Sequence, residues 1–234
     1  MRKKTVLIMI VIVASLILLG NSKADNVGIL LKYFPKESVL QEHLSFDSDH
    51  PLNKIILLPE GPFDQGEAAA IVSRVNKLPY SLLKKIEEAH IRLKLFTGVL
   101  TDNPTAAHLK GIKPKGYESN KTWDDVPGIG GGRIVLVKIG HSEKGKGHSS
   151  VNLELHELAH SVDRYVFDEL RSSDDFLRVW KDEKESLFPN RTYFLTYPEE
   201  YFAESFAMYY LNEETRTELK DKAPETYQFM KLLK

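Results

Sequence analysis

Apolar positions change their spacing along the chain, and the changes mark out the elements. Ile55-Ile56-Leu57-Leu58 is a short apolar run closed by Pro59, Gly61 and Pro62, as a buried strand would be. Asp64, three residues before Glu67, opens a helix that continues from Ala68 to Val75. Pro79 and Ser81 open a second helix through Ala89. Ile91, Leu93 and Leu95 then alternate with Arg92 and Lys94, the period of a half-buried strand. Arg133 to Ile139 is the clearest strand of the chain and the candidate sheet edge for a bound peptide. From Ser149 the period lengthens. Val151, Leu155, Leu158 and Val162 mark a helix through about Phe167, and a second follows from Asp174 to Leu187. A third runs from Pro198 to Leu211, because proline's missing N–H is unpaired in the first turn anyway. A last helix follows Pro224.

Strands early and helices late predict an α+β fold: a small sheet, with an edge strand beside the helix after Ser149, and a helical C-terminal half. No repeat or linker divides residues 53–234, which are expected to form one domain. Residues 25–52 are polar and irregular apart from Ile29-Leu30-Leu31, and read as an N-terminal extension. Before them, Arg2, Lys3 and Lys4 precede an apolar run from Val6 to Leu19, and Ser22-Lys23-Ala24 offers the small residues a signal peptidase reads. A bilayer span needs about 20 apolar residues, so residues 1–24 are expected to be a cleaved signal peptide, with no stable membrane insertion afterwards.

Composition narrows the class. Apolar residues make up 42% and charged residues 28%, ordinary values for a folded domain. Lys and Arg total 32 against 33 Asp and Glu, so no basic excess points to nucleic acid. Loss of Arg2, Lys3, Lys4 and Lys23 leaves 28 basic residues against the same 33 acidic ones, a net charge of -5. Cysteine is absent, which removes disulfides, thiol catalysis and Cys-based metal sites, and also a lipid-anchored bacterial lipoprotein.

The chemistry is concentrated in His156-Glu157-Leu158-Ala159-His160. Residues four apart share a helix face, so both imidazoles can reach one metal ion, with Glu157 beside them to accept a proton from water. Zinc suits imidazole nitrogen, and a zinc peptidase site needs a third protein ligand. Asp163 stands where the longer three-histidine pattern has its glycine, so a downstream carboxylate is the remaining option. Pro198-Glu199-Glu200-Tyr201-Phe202-Ala203-Glu204 offers three. Glu200 and Glu204 share a face and can divide the work: Glu200 on the metal, Glu204 holding the ring of His156 or His160.

The order of these motifs resembles the catalytic domain of anthrax lethal factor, and more closely the small secreted Pro-Pro endopeptidases of Gram-positive bacteria. The likeness runs from about Ile55 to the C-terminus and includes Lys121-Thr122-Trp123-Asp124-Asp125-Val126-Pro127-Gly128, Asn152-Leu153-Glu154-Leu155-His156-Glu157 and Pro198 to Phe206. It implies a zincin-like metallopeptidase fold, one zinc ion on His156, His160 and Glu200, and Glu157 as base. It also implies a catalytic tyrosine seven residues before the ligand glutamate, which is Tyr193, with Tyr197 as the competitor. Lys121 and Trp123 are implied to lie over the substrate, with Glu199 as a partner for Lys121. The implied partner is an extracellular or cell-surface protein with a proline-rich site, met by an enzyme secreted from a Gram-positive bacterium.

Two other readings stay in view: a lethal factor-type peptidase of different specificity, and a non-catalytic secreted binding module on the same scaffold. Gly140 to Lys146 imitates a phosphate-binding loop, but Gly147 stands where its Ser or Thr hydroxyl is needed. His90, His108, His141 and His148 have no partner at ligand spacing and read as surface residues.

Overall fold

The computed structural model describes residues 28–44, 46–114 and 120–234; the expected signal peptide lies outside the described residues. Five short strands form one mixed sheet: β1 (Ile29–Leu30), β2 (Ile56–Leu58), β3 (Arg92–Phe96), β4 (Gly128–Ile129) and β5 (Ile134–Lys138). Their order is β1-β2-β3-β5-β4, with β2, β3 and β5 parallel and the two outer strands antiparallel to their neighbours. Ten α-helices accompany them among the described residues. Strands β2 and β3 are connected by α3 (Gln65–Val75) and α4 (Tyr80–Glu88), which follow α1 (Val39–Glu42) and α2 (Leu52–Ile55). The C-terminal half holds α5 (Leu153–Tyr165), α6 (Asp174–Leu187), α7 (Thr192–Thr196), α8 (Pro198–Leu211), α9 (Glu213–Lys222) and α10 (Pro224–Leu232).

The expected edge strand is displaced by one. Residues Arg133 to Ile139 form β5, which lies inside the sheet between β3 and β4. Its composition explains why: Val135 and Val137 enter the main core, while Leu136 joins a second cluster on the opposite face with Phe96, Leu100, Ala106 and Val126. A strand apolar on both faces belongs in a sheet interior. The edge beside α5 is instead β4, short and glycine-rich. Leu100, Ala106 and Val126 pack on the sheet's second face, so β3 is not half-exposed; Lys94 is only 7% exposed, and burial pushes its amine's pKa down.

Residues that read as an irregular extension supply β1, and Leu31, Leu40 and Leu52 join the main core. Helix α3 starts where Asp64 accepts a hydrogen bond from the Glu67 N–H at 2.9 Å. Helix α8 begins with Pro198 and is buried on nearly all sides from Tyr201 to Met208, as a central core helix is. It packs against α5, each fully buried Phe or Leu between them contributing about 1.5–3 kcal/mol. No described helix is long and apolar enough to cross a membrane.

Candidate metal centre and cleft

Helix α5 is positioned from its first turn. Asn152 caps it, its side chain accepting the Leu155 N–H at 3.0 Å. Leu155, Leu158 and Val162 then face the core, which turns His156, Glu157 and His160 towards an open cleft. The two rings lie edge to face with centroids 5.0 Å apart.

Helix α8 brings the carboxylates. Glu200 sits in its first turn, where the helix dipole favours negative charge. Its Oε2 lies 3.2 Å from His156 Nε2 and 3.6 Å from His160 Nε2. One ligand atom from each of His156, His160 and Glu200 fits within 4.8 Å of the others, a group able to hold a metal ion. Glu204, one turn on and 0% exposed, takes His156 Nδ1 at 3.0 Å and the Val151 N–H at 2.9 Å. The alternatives left by spacing thus separate: Glu204 meets His156, not His160, through the ring nitrogen that faces away from Glu200.

The electrostatics of this group favour a cation. Burial works against charge on His156, but hydrogen bonds to Glu200 and Glu204 outweigh it and hold its pKa well above the histidine range. Burial would likewise raise Glu200, yet His156 and His160 hold its carboxyl below the ordinary range. A divalent ion would supply the positive charge that otherwise falls to a proton, because metal ligation needs neutral imidazole and ionised carboxylate. Beside the group, burial raises the pKa of Glu157 against the opposing pull of the two imidazoles.

The cleft has a volume of about 350 Å³, and one wall is the free edge of β4. Gly130 is required there, since a Cβ would lie 2.0 Å from the Glu157 carbonyl oxygen. Lys138 N–H donates to Pro127 O, so by antiparallel alternation Ile129 bonds to β5 while the main chains of Gly128 and Gly130 turn outward.

Tyr193, on α7, and Tyr197, at the start of α8, both line the cleft, their rings 5.4 Å apart. Helix α7 is tied down through its carbonyls: Trp180 Nε1 donates to Phe194 O at 3.1 Å and Lys184 Nζ to Leu195 O at 2.7 Å. Trp123 and Glu199 also line the cleft. Trp123 begins a short 3₁₀ turn pinned by Asp124, which accepts from Thr101, from the Gly111 N–H at 2.7 Å and from the Thr122 hydroxyl at 2.9 Å. Lys121 is exposed, and the ion pairs among the described residues do not join it to Glu199.

Three cleft residues escape a reading of the sequence. His148 is no surface residue: it lines the cleft, with Nε2 2.8 Å from His141 O. Arg164 and Arg171 line it too. Arg164 lies four residues after His160, on the same helix face, and that spacing was the available signal.

Comparison with known proteins agrees with this geometry. The family model described as anthrax toxin lethal factor, N- and C-terminal domain, matches residues 42–233. The Pro-Pro endopeptidase of Paenibacillus alvei is 44% identical over 180 residues, 76% of this chain and 82% of that protein. The Pro-Pro endopeptidase of Clostridioides difficile is 45% identical over 183 residues, 78% of this chain and 82% of that one. The solved structure of the Paenibacillus alvei enzyme has a TM-score of 0.75 at 43% identity, covering 79% of this chain and 100% of that one. The fold is therefore zincin-like, and the chain belongs to the lethal factor-like family and, within it, to the Pro-Pro endopeptidases.

Proposed function

We propose that this protein is a secreted bacterial endopeptidase that holds one zinc ion on His156, His160 and Glu200 and hydrolyses the bond between two prolines of an extracellular protein. The convergence of those three ligand groups beside Glu157, at the floor of an open cleft, carries the reading. The donor set fits zinc, which takes imidazole nitrogen and carboxylate oxygen and leaves a position open in catalytic sites. Bound there, zinc supplies a Lewis acid that polarises the scissile carbonyl and acidifies a water.

This chain's residues do the rest. Glu157 takes a proton from the attacking water and delivers it to the leaving proline nitrogen. Tyr193 donates its O–H to the oxyanion as charge develops there. Glu204 keeps a proton on His156 Nδ1, which leaves Nε2 free to ligate.

Specificity follows from how little edge β4 offers. Proline lacks an N–H and fixes φ near -65°, so two prolines forfeit ladder bonds that a long edge strand would demand. Only Gly128 of strand β4 and Gly130 just past it turn their main chains outward, so the forfeit is small. Trp123 supplies a flat apolar face for the rings. Glu199, from the cleft wall, and Lys121, from the exposed start of the Trp123 loop, complete the substrate side.

Glu157→Ala tests the reading. The variant should retain metal and lose at least a hundredfold in kcat/KM on a Pro-Pro peptide, since a general base contributes about 10²–10⁴-fold. Activity above about a hundredth of the unmutated protein's contradicts it.

A further inference from the structure

Strand β4 and helix α5 run side by side in the same direction. Gly128 lies against Leu153 and Glu157, Gly130 against the Glu157 backbone, and Gly131 near His160, its N–H bonded to Ser161 at 3.0 Å. The cleft between them is chemically uneven along its length. The Gly128 end is apolar, with Trp123, Val126 and Leu153, whereas the end past His160 carries the guanidinium groups of Arg164 and Arg171.

The two arginines differ. Arg171 is committed to Asp163 and Glu169. Arg164 donates once to Gly131 O at 3.1 Å and packs over Tyr165, whose ring also carries Arg133. Among the described residues Arg164 enters no ion pair. A guanidinium has five N–H donors in a planar fork, so one anchored through a single donor is oriented and still able to take a carboxylate bidentately.

A peptide added to the free edge of β4 in the antiparallel sense, the more stable pairing, runs opposite to α5. Its residues before the scissile bond therefore lie towards Gly131 and Arg164. One helical turn separates His160 from Arg164, about 6 Å, and an extended peptide advances about 3.3 Å per residue. With the reach of the arginine side chain added, the matching residue is the third or fourth before the scissile bond.

We propose that Arg164 forms a subsite for an acidic side chain at the third or fourth position before the cleaved bond. This rests on the Pro-Pro peptidase reading and adds a charge preference to it. Two series of Pro-Pro peptides, varied only at the third or only at the fourth position, would carry Glu, Gln or Lys there. The full-length protein should cleave the Glu peptide about three- to tenfold more efficiently in kcat/KM than the Gln peptide at one of the two positions. That ratio should fall towards one in 1 M salt. Arg164→Glu should invert the order so that Lys is preferred over Glu, and Arg164→Gln should bring the Glu to Gln ratio close to one. Equal cleavage of Glu and Gln peptides in both series, or a Glu preference that survives in Arg164→Glu or Arg164→Gln, overturns the subsite while leaving the peptidase reading standing. Cleavage of no peptide in either series overturns both.

Discussion

Glu204 is a carboxylate with no exposed surface, and both of its oxygens are committed. One accepts the Val151 N–H at 2.9 Å and the other lies 3.0 Å from His156 Nδ1. An unpaired buried carboxylate would be costly, so its partners and its position imply one another. Glu204→Ala should weaken metal affinity about 10–100-fold, as loss of a ring-orienting partner does. A competition titration with a chromogenic chelator measures it, and unchanged affinity would remove Glu204 from the site. The pairs His156/His160 and Glu200/Glu204 were legible in the sequence because helical spacing alone puts each pair on one face. Gly130 was not, because its necessity comes from the Glu157 backbone 27 positions away, which only the fold brings close. Nor was His148, whose place depends on a loop with positive φ at Gly140, Gly145 and Gly147.

At the scale of elements, the 3₁₀ turn from Trp123 to Asp125 sets where the Trp123 ring stands. Asp124 holds it through Thr101, Gly111 and Thr122, and these hydrogen bonds lower its pKa from 3.8 to about 2. A carboxyl whose folded pKa lies below its unfolded one stabilises the fold above the unfolded value and loses that contribution as pH falls through the folded one. The contribution of Asp124 is therefore complete above about pH 4 and vanishes towards pH 2. Asp124→Asn should lower Tm at pH 7, with the gap to the unmutated protein closing below pH 4. It should also lower kcat/KM on Pro-Pro peptides about tenfold by misplacing Trp123, at unchanged metal content. A Tm difference that is the same at pH 7 and pH 3 would contradict the assignment. Elements with strong terminal signals were readable: α6 and α8 begin and end at the expected residues, one after an acidic N-terminus and one at Pro198. Those without an apolar stripe were not. Helix α9 buries only Leu219, α7 is too short for two turns, and β4 is two residues of glycine and isoleucine. The hydrophobic pattern points to β5 as the edge because β4 carries almost no hydrophobic signal of its own.

Over the whole molecule, the site joins two halves with different origins in the chain. The sheet delivers β4 and the Trp123 turn, and the helical half delivers α5, α7 and α8, with α5 and α8 packed directly on each other. A metal ion on His156, His160 and Glu200 would bind across that packing and only in the folded protein. Binding of this kind stabilises by mass action, about 4 kcal/mol at a thousandfold excess over Kd. Removal of metal by a chelator should therefore lower Tm by several degrees, abolish cleavage, and be reversed by added zinc. A Tm indifferent to chelation and to zinc would place no metal between the helices.

The most direct test of the account is the ratio of kcat/KM for two peptides identical except at the central pair, Pro-Pro in one and Ala-Ala in the other, with the cut position read by mass spectrometry. A short edge with two outward residues and an apolar face at Trp123 predict cleavage of the first between its two prolines and a rate on the second at least tenfold lower. Equal cleavage of the two peptides would contradict it.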